Sequence, residues 1–334
     1  RTRDGGCAPA SAVSNSIRTL GLLSMSLQAP VAFLIFNRPE LTQKVFQVIR
    51  QVAPKRLFII ADGARDDQEV FVCQQTRAVV EQIDWDCSVE RDYAETNLGC
   101  RHRVSSGLNW VFAQTERAII LEDDCLPNYS FFRFCDELLE RYQDQERVMA
   151  ITGNNHQRGR EVTPYSYYFS KYFHCWGWAT WSRAWQYYDV EMKLWPEFRD
   201  GGYVEWVSDS KYEHYYWLQK FEQMYQGKID TWDYPFMFAC FSQSGLVATP
   251  RVNLVSNLGF GKQATHTHNP KSPFANMPTQ ELGEISHPPF IARSLSADQF
   301  VFEQVFDGAK LRQMDTLWGR FQQLKRRLGQ VLKS

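Results

Sequence analysis

Between Val31 and Thr152 short apolar runs alternate with stretches of helical spacing, and this alternation limits the fold more than any other feature. Val31-Ala32-Phe33-Leu34-Ile35-Phe36 is a continuous apolar run, as expected of a strand buried on both faces. Pro39 suits the first turn of a helix, and Leu41, Val45, Val48, Ile49 and Val52 follow at helical steps. Leu57–Ala61 predicts a second strand, ended by Asp62-Gly63, with a helix over Gln68–Ile83. A weaker strand is expected over Cys87–Tyr93, then a turn at Asn97-Leu98-Gly99 and a helix over Val104–Phe112. Ala118–Leu121 predicts a fourth strand, Phe131–Tyr142 a helix and Val148–Thr152 a fifth strand. Such a chain folds as an α/β protein with a doubly wound, mixed but mostly parallel sheet flanked by helices. Ligands of these sheets sit beyond the carboxyl ends of the strands. The polar residues there, Asn37-Arg38, Asp62, Asn97 and Glu122-Asp123-Asp124, are therefore expected to converge.

The second half reads differently. Aromatic residues crowd Thr163–Asp233, including Trp176, Trp178, Trp181, Trp185 and Trp195, and the strand–helix alternation is lost. We expect an aromatic-rich elaboration shaping an acceptor side. The chain divides into a flexible tail (1–28), a catalytic unit (29–270, with halves 29–155 and 156–270), an extension (271–309) and a terminal helix (310–334). That helix is amphipathic and basic. It suits either docking on its own domain or peripheral contact with an anionic membrane surface. A net charge of −1 over 334 residues gives no footprint for nucleic acid. The 8 Cys form no C-x-x-C pair and match no zinc spacing, so reduced thiols and a cytoplasmic location are expected. Leu20-Gly21-Leu22-Leu23 is too short for a signal peptide core, and no apolar run is long enough to span a bilayer.

Three consecutive acids repel one another, and a divalent cation offsets that cost. Carboxylate oxygens suit Mn²⁺ or Mg²⁺, which bridge to a diphosphate and act as Lewis acids. A solvated acidic turn is the plain alternative, but the position after a buried strand favours the metal. Asp62 can hold a ribose hydroxyl or a base N–H, or merely form an Asp-Gly turn. Arg38 can reach phosphate or base; as a plain surface charge it would sit poorly at a helix start. Asp233, in Trp232-Asp233-Tyr234-Pro235, is the candidate general base, with Asp230 in reserve. A helix cap is the alternative. The loop Gly259-Phe260-Gly261-Lys262, with His266 and His268 beyond it, can fold over a diphosphate, and one His can complete a metal's coordination.

Ala118–Phe132, a strand, Glu-Asp-Asp, a short spacer and a helix opening with Phe-Phe, resembles the metal-binding segment of the N-acetylglucosaminyltransferase I family. The chain also resembles bacterial family 2-like glycosyltransferases, over roughly residues 31–268. The resemblance implies a GT-A fold and an inverting, metal-dependent transfer from a nucleotide-sugar, UDP-linked, to a glycan or lipid-linked acceptor. It implies nucleotide contact by Arg38, uracil contact by Asp62, metal ligation by Asp124, and contact of Glu122 and Asp123 with sugar and ribose. Trp176-Gly177-Trp178 resembles a segment bordering the donor sugar, Trp232-Asp233 one supplying the base, and Gly259-Phe260-Gly261 a loop closing over the diphosphate. Cell-surface polysaccharide synthesis is the expected setting. A nucleotidyltransferase shares the sheet, the acids and the metal, but should carry a glycine-rich loop where this chain has Asn37-Arg38-Pro39-Glu40. A degenerate, sugar-binding scaffold is the other alternative.

Overall fold

The computed structural model describes residues 27–261 and 269–331, with side chains to Phe321 apart from Arg320. β1 (Val31–Ile35), α1 (Pro39–Val52), β2 (Arg56–Ala61), α2 (Asp67–Val80), β3 (Ser88–Tyr93), α3 (Gly99–Phe112) and β4 (Arg117–Glu122) alternate as the apolar periods predict. β5 (Cys125–Pro127), α4 (Tyr129–Arg141) and β6 (Val148–Thr152) follow. The expected tail ends early, because Leu27 is already buried and Asp136 accepts the Ala29 N–H at 2.7 Å. Its earlier part, residues 1–26, lies outside the described residues.

The second half adds strands to the sheet as well as aromatic packing. β7 (Tyr167–Ser170), β8 (Trp178–Trp181) and β9 (Leu246–Pro250) enter the same eight-stranded sheet, ordered β3-β2-β1-β4-β8-β6-β9-β7. β8 pairs antiparallel with both β4 and β6, and β7 runs antiparallel to β9; the other neighbours are parallel. β10 (Val255–Asn257) pairs antiparallel with β5 in a separate two-stranded ribbon. Between β8 and β9 run α5 (Ser182–Trp185), α6 (Trp195–Asp200), α7 (Tyr203–Trp206), α8 (Lys211–Tyr225) and α9 (Asp233–Ser242). The chain ends in α10 (Leu295–Val305) and α11 (Gly308–Val331).

Strand alternation splits the core into two layers. Val31, Phe33 and Ile35 face a cluster with α1 and α4, while Ala32 and Leu34 face one with α3 and α8–α10. Most of the aromatic residues of the second half fill this latter layer: Trp178, Trp195 and Trp217 are fully buried there. The order β2-β1-β4 matters most for function. The chain leaves β1 toward β2 and β3 on one side and returns as β4 on the other. A crevice opens where strand order reverses, at the carboxyl ends of β1 and β4.

Candidate functional site

Arg38 and the acid triplet meet at that reversal. Arg38 precedes α1, and its Nη1 donates to Asp124 Oδ2 at 2.7 Å and to Asp123 Oδ1 at 3.2 Å. The Phe36 N–H, at the end of β1, donates to Asp123 Oδ2 at 3.1 Å. Burial opposes the Arg38 charge, but Asp123, Asp124 and Glu122 outweigh it and hold its pKa above the ordinary value. Burial and the neighbouring acids push the Glu122 carboxyl well up. Burial also raises Asp123, against the pull of Arg38. One guanidinium thus faces three crowded carboxylates, and a further positive charge would relieve them.

Three cavities meet around this cluster. The first, about 340 Å³, is lined by Glu122, Asp124 and Asp233, with His156, His174 and Trp176 among its other walls. Asp233 opens α9, and its Oδ1 accepts from Thr231 Oγ1 at 2.5 Å. The Cys175 thiol lies 4.0 Å from its other oxygen. The second cavity, about 550 Å³, lies between the start of α1 and the loop Leu258–Gly261. The third, about 240 Å³, holds Asp62, Asn97, Arg65, Arg103, Asp123 and Asp230. The structure therefore separates the two candidate bases: Asp233 shares a cavity with Glu122 and Asp124, whereas Asp230 stands exposed at the third cavity.

Asp62 serves the turn after β2. Its carboxylate accepts from the backbone N–H groups of Gly63 and Leu98 at 2.9 Å each, from that of Gly99 at 3.1 Å, and from Asn97 Nδ2 at 3.1 Å. These four bonds use the capacity of an ionised carboxylate. Gly63 is required here, since a Cβ would lie 2.4 Å from the Thr96 backbone.

The glycine loop lies directly over Asp124. The Leu258 N–H donates to the Asp124 carbonyl at 2.8 Å, and a Cβ at Gly259 would fall 1.8 Å from Asp124 Oδ2. Gly261, with φ +140°, lines the second cavity. Lys262, His266 and His268 lie outside the described residues. Trp178 stands elsewhere than expected. It is fully buried on β8, stacked on Trp232 with ring centroids 5.3 Å apart. Trp176, just before the strand, lines the first cavity instead and meets Phe260 edge-on at 5.5 Å.

Several cavity residues carried no signal in the sequence. Asn154 and His156 follow β6, and Phe274, Val305 and Phe306 come from the extension. Only the aromatic density around His174 and Trp176 pointed at this wall. Burial, with Arg158 nearby, lowers the His156 pKa to about 4, and burial, with His156 4.4 Å away ring to ring, holds His174 well below its ordinary value.

Among the described residues no three His, Cys, Asp or Glu side chains are grouped to hold a metal by themselves. The donors present still fit a hard cation that takes one or two carboxylates and completes its shell with ligand phosphate oxygens. Asp124, beside the glycine loop, and Glu122 both line the first cavity and are carboxylates of that kind. The seven cysteines among the described residues are all free thiols, and no described helix is long and apolar enough to cross a membrane.

No protein-family model matches the chain, and no curated protein matches it in sequence. Solved structures do overlap it. A mannosyltransferase from Pyrobaculum calidifontis, in complex with GDP-Man and Mn²⁺, is 12% identical with a TM-score of 0.39, covering 66% of this chain and 76% of that one. An active-site mutant of LgtC is 14% identical with a TM-score of 0.37, covering 81% and 94%. A UDP-glucose pyrophosphorylase complexed with UDP-glucose is 9% identical with a TM-score of 0.33, covering 66% and 89%. Likeness of this degree carries no argument for any one activity.

Proposed function

We propose that this chain is a GT-A glycosyltransferase that moves a sugar from a nucleotide-sugar, UDP-linked, to a hydroxyl of a glycan or lipid-linked acceptor with inversion. One observation carries the reading: Asp233 lines the same cavity as Glu122 and Asp124, at the crevice where strand order reverses. The neighbouring cavity, whose wall Asp62 braces through its turn and which Asp123 and Arg65 also line, suits the nucleoside, and the cavity under Gly259–Gly261 suits the diphosphate.

In this reading Asp233 takes the proton of the acceptor hydroxyl as that oxygen bonds the anomeric carbon. The bond from that carbon to the phosphate oxygen breaks on the opposite face. Arg38 holds Asp123 and Asp124 in place from the end of β1. The backbone of the glycine loop covers the leaving diphosphate and excludes water. Asp124, with Glu122 beside it and His266 as the further ligand that the sequence of the loop offers, would hold Mn²⁺ or Mg²⁺, which would supply Lewis-acid neutralisation of the leaving group.

A positioned base contributes on the order of 10²–10⁴ in rate. Asp233→Asn is therefore expected to lower kcat by that factor while UDP affinity stays within about twofold of wild type. Asp230→Asn should stay near wild type. If Asp230→Asn were the damaging change and Asp233→Asn harmless, Asp233 would not be the base.

A further inference from the structure

α11 begins as a docked helix and continues as an open one. Leu311 packs against the core layer that holds α8–α10. Asp315 accepts from Lys211 Nζ at 2.7 Å and from Tyr212 Oη at 2.9 Å, and Arg312 pairs with Glu303. The apolar side of the helix nevertheless faces solvent: Met314, Leu317 and Trp318 are 57%, 55% and 61% exposed, and Phe321 is 48% exposed. An open groove lies between these residues and Tyr212 and Tyr215 of α8. A contiguous apolar patch on a polar surface marks a contact site.

The sequence extends the patch. Leu324, Leu328 and Val331 continue it at alternating steps of four and three residues, as one stripe along the helix. The full helix of 24 residues is about 36 Å long. Charge selects the occupant. From residue 310 onward the chain carries seven Lys and Arg against the single acid Asp315. By helical spacing in the sequence, positions 320 and 327, both Arg, belong to one margin of the stripe, and position 325, a Lys one heptad beyond Trp318, to the other. A second copy packed along this seam would set like charges beside one another. An anionic lipid surface instead takes the cations at its headgroups and the apolar stripe at the acyl boundary.

We infer that α11 is a surface anchor that lies in the plane of an anionic bilayer. Val305 and Phe306, which line the first cavity, are three and two residues from the start of α11, so the anchor would hold that cavity close to the membrane. The anchor is independent of the transferase reading, because lipid binding is measured without turnover.

The test is co-sedimentation of the full chain with vesicles of phosphatidylcholine alone and of phosphatidylcholine with phosphatidylglycerol. Binding to the anionic vesicles alone, weakened by added salt, is expected. Each cation at such a surface contributes roughly fivefold in partitioning, so Arg320→Glu with Arg327→Glu should weaken binding by at least about twentyfold. Leu317→Glu with Trp318→Glu should abolish it with an unchanged thermal midpoint, since both side chains are more than half exposed. Equal binding to neutral vesicles, no binding to either, or binding that survives the Leu317 and Trp318 substitutions would overturn the inference. So would a dimer in solution that Trp318→Glu dissociates in a protein that ignores vesicles, which would assign the stripe to a second copy.

Discussion

Replacing Gly259 by alanine tests whether the glycine loop and Asp124 form one unit. The added methyl would stand 1.8 Å from Asp124 Oδ2 and 2.6 Å from its carboxyl carbon, so something must give way by more than an ångström. The carboxylate has little freedom to do so, because Arg38 holds it at 2.7 Å and its side chain is 13% exposed. Either the loop lifts off the cavity or Asp124 swings away from Arg38. A displacement of this size at a reacting centre costs about 10²-fold in rate, or about 3 kcal/mol in the barrier. Gly259→Ala is therefore expected to lower kcat/KM about a hundredfold and to weaken Mn²⁺-linked UDP binding, with a thermal midpoint near wild type. Gly261→Ala is the contrast: among the described residues beyond its chain neighbours no atom lies within 4 Å of its Cβ position, so the penalty expected there is the backbone strain of φ +140°. Donor hydrolysis and calorimetric titration of UDP with Mn²⁺ read both variants. Turnover by Gly259→Ala within about threefold of wild type would refute the coupling of loop and carboxylate.

Two further outcomes follow from the electrostatics of the site. Arg38→Met removes the partner of Asp123 and Asp124 and leaves buried acids uncompensated; a loss of about 3–5 kcal/mol is expected in urea denaturation at neutral pH, and an unchanged midpoint would contradict the pairing. His156 folds as a neutral ring with a pKa near 4, below its unfolded value near 6.5. Between these values the unfolded chain binds the extra proton, so stability is full above about pH 6.5 and falls as pH drops toward 4, by about 3 kcal/mol from His156 alone. His174 adds in the same direction, because burial also lowers its pKa. Urea midpoints at pH 7.5 and 5 should differ less in His156→Phe than in wild type; an equal difference would show that His156 does not set the slope.

The first half of the fold was legible because parallel strands buried on both faces read as unbroken apolar runs. β1, β2, β4 and β6 announce themselves in this way, and the polar residues that end β1 and β4 identify the crevice. The second half was not legible. β7, β8 and β9 are four or five residues long, and Trp178–Trp181 shares its aromatic character with the helices that pack on it. Insertion of β8 between β4 and β6 is a long-range pairing that no local period encodes. Trp178 shows the consequence. Its motif suggested a sugar platform, but a strand in the middle of the sheet sends the ring into the core, and Trp176 faces the cavity. Asp62 shows the reverse: the Asp-Gly turn that competed with a ligand role is visible in its four bonds to the chain. The far wall of the first cavity, with His156 and Phe274, comes from loops whose placement depends on the finished sheet.

Donor hydrolysis tests the central claim most directly. The protein with Mn²⁺ is offered UDP-, GDP- and dTDP-sugars, with release of nucleoside diphosphate followed over hours. Slow hydrolysis of one donor, abolished by EDTA and by Asp124→Ala, is the predicted result and would name the sugar as well. No hydrolysis of any donor, together with no Mn²⁺-linked binding of UDP, GDP or dTDP, would contradict the account.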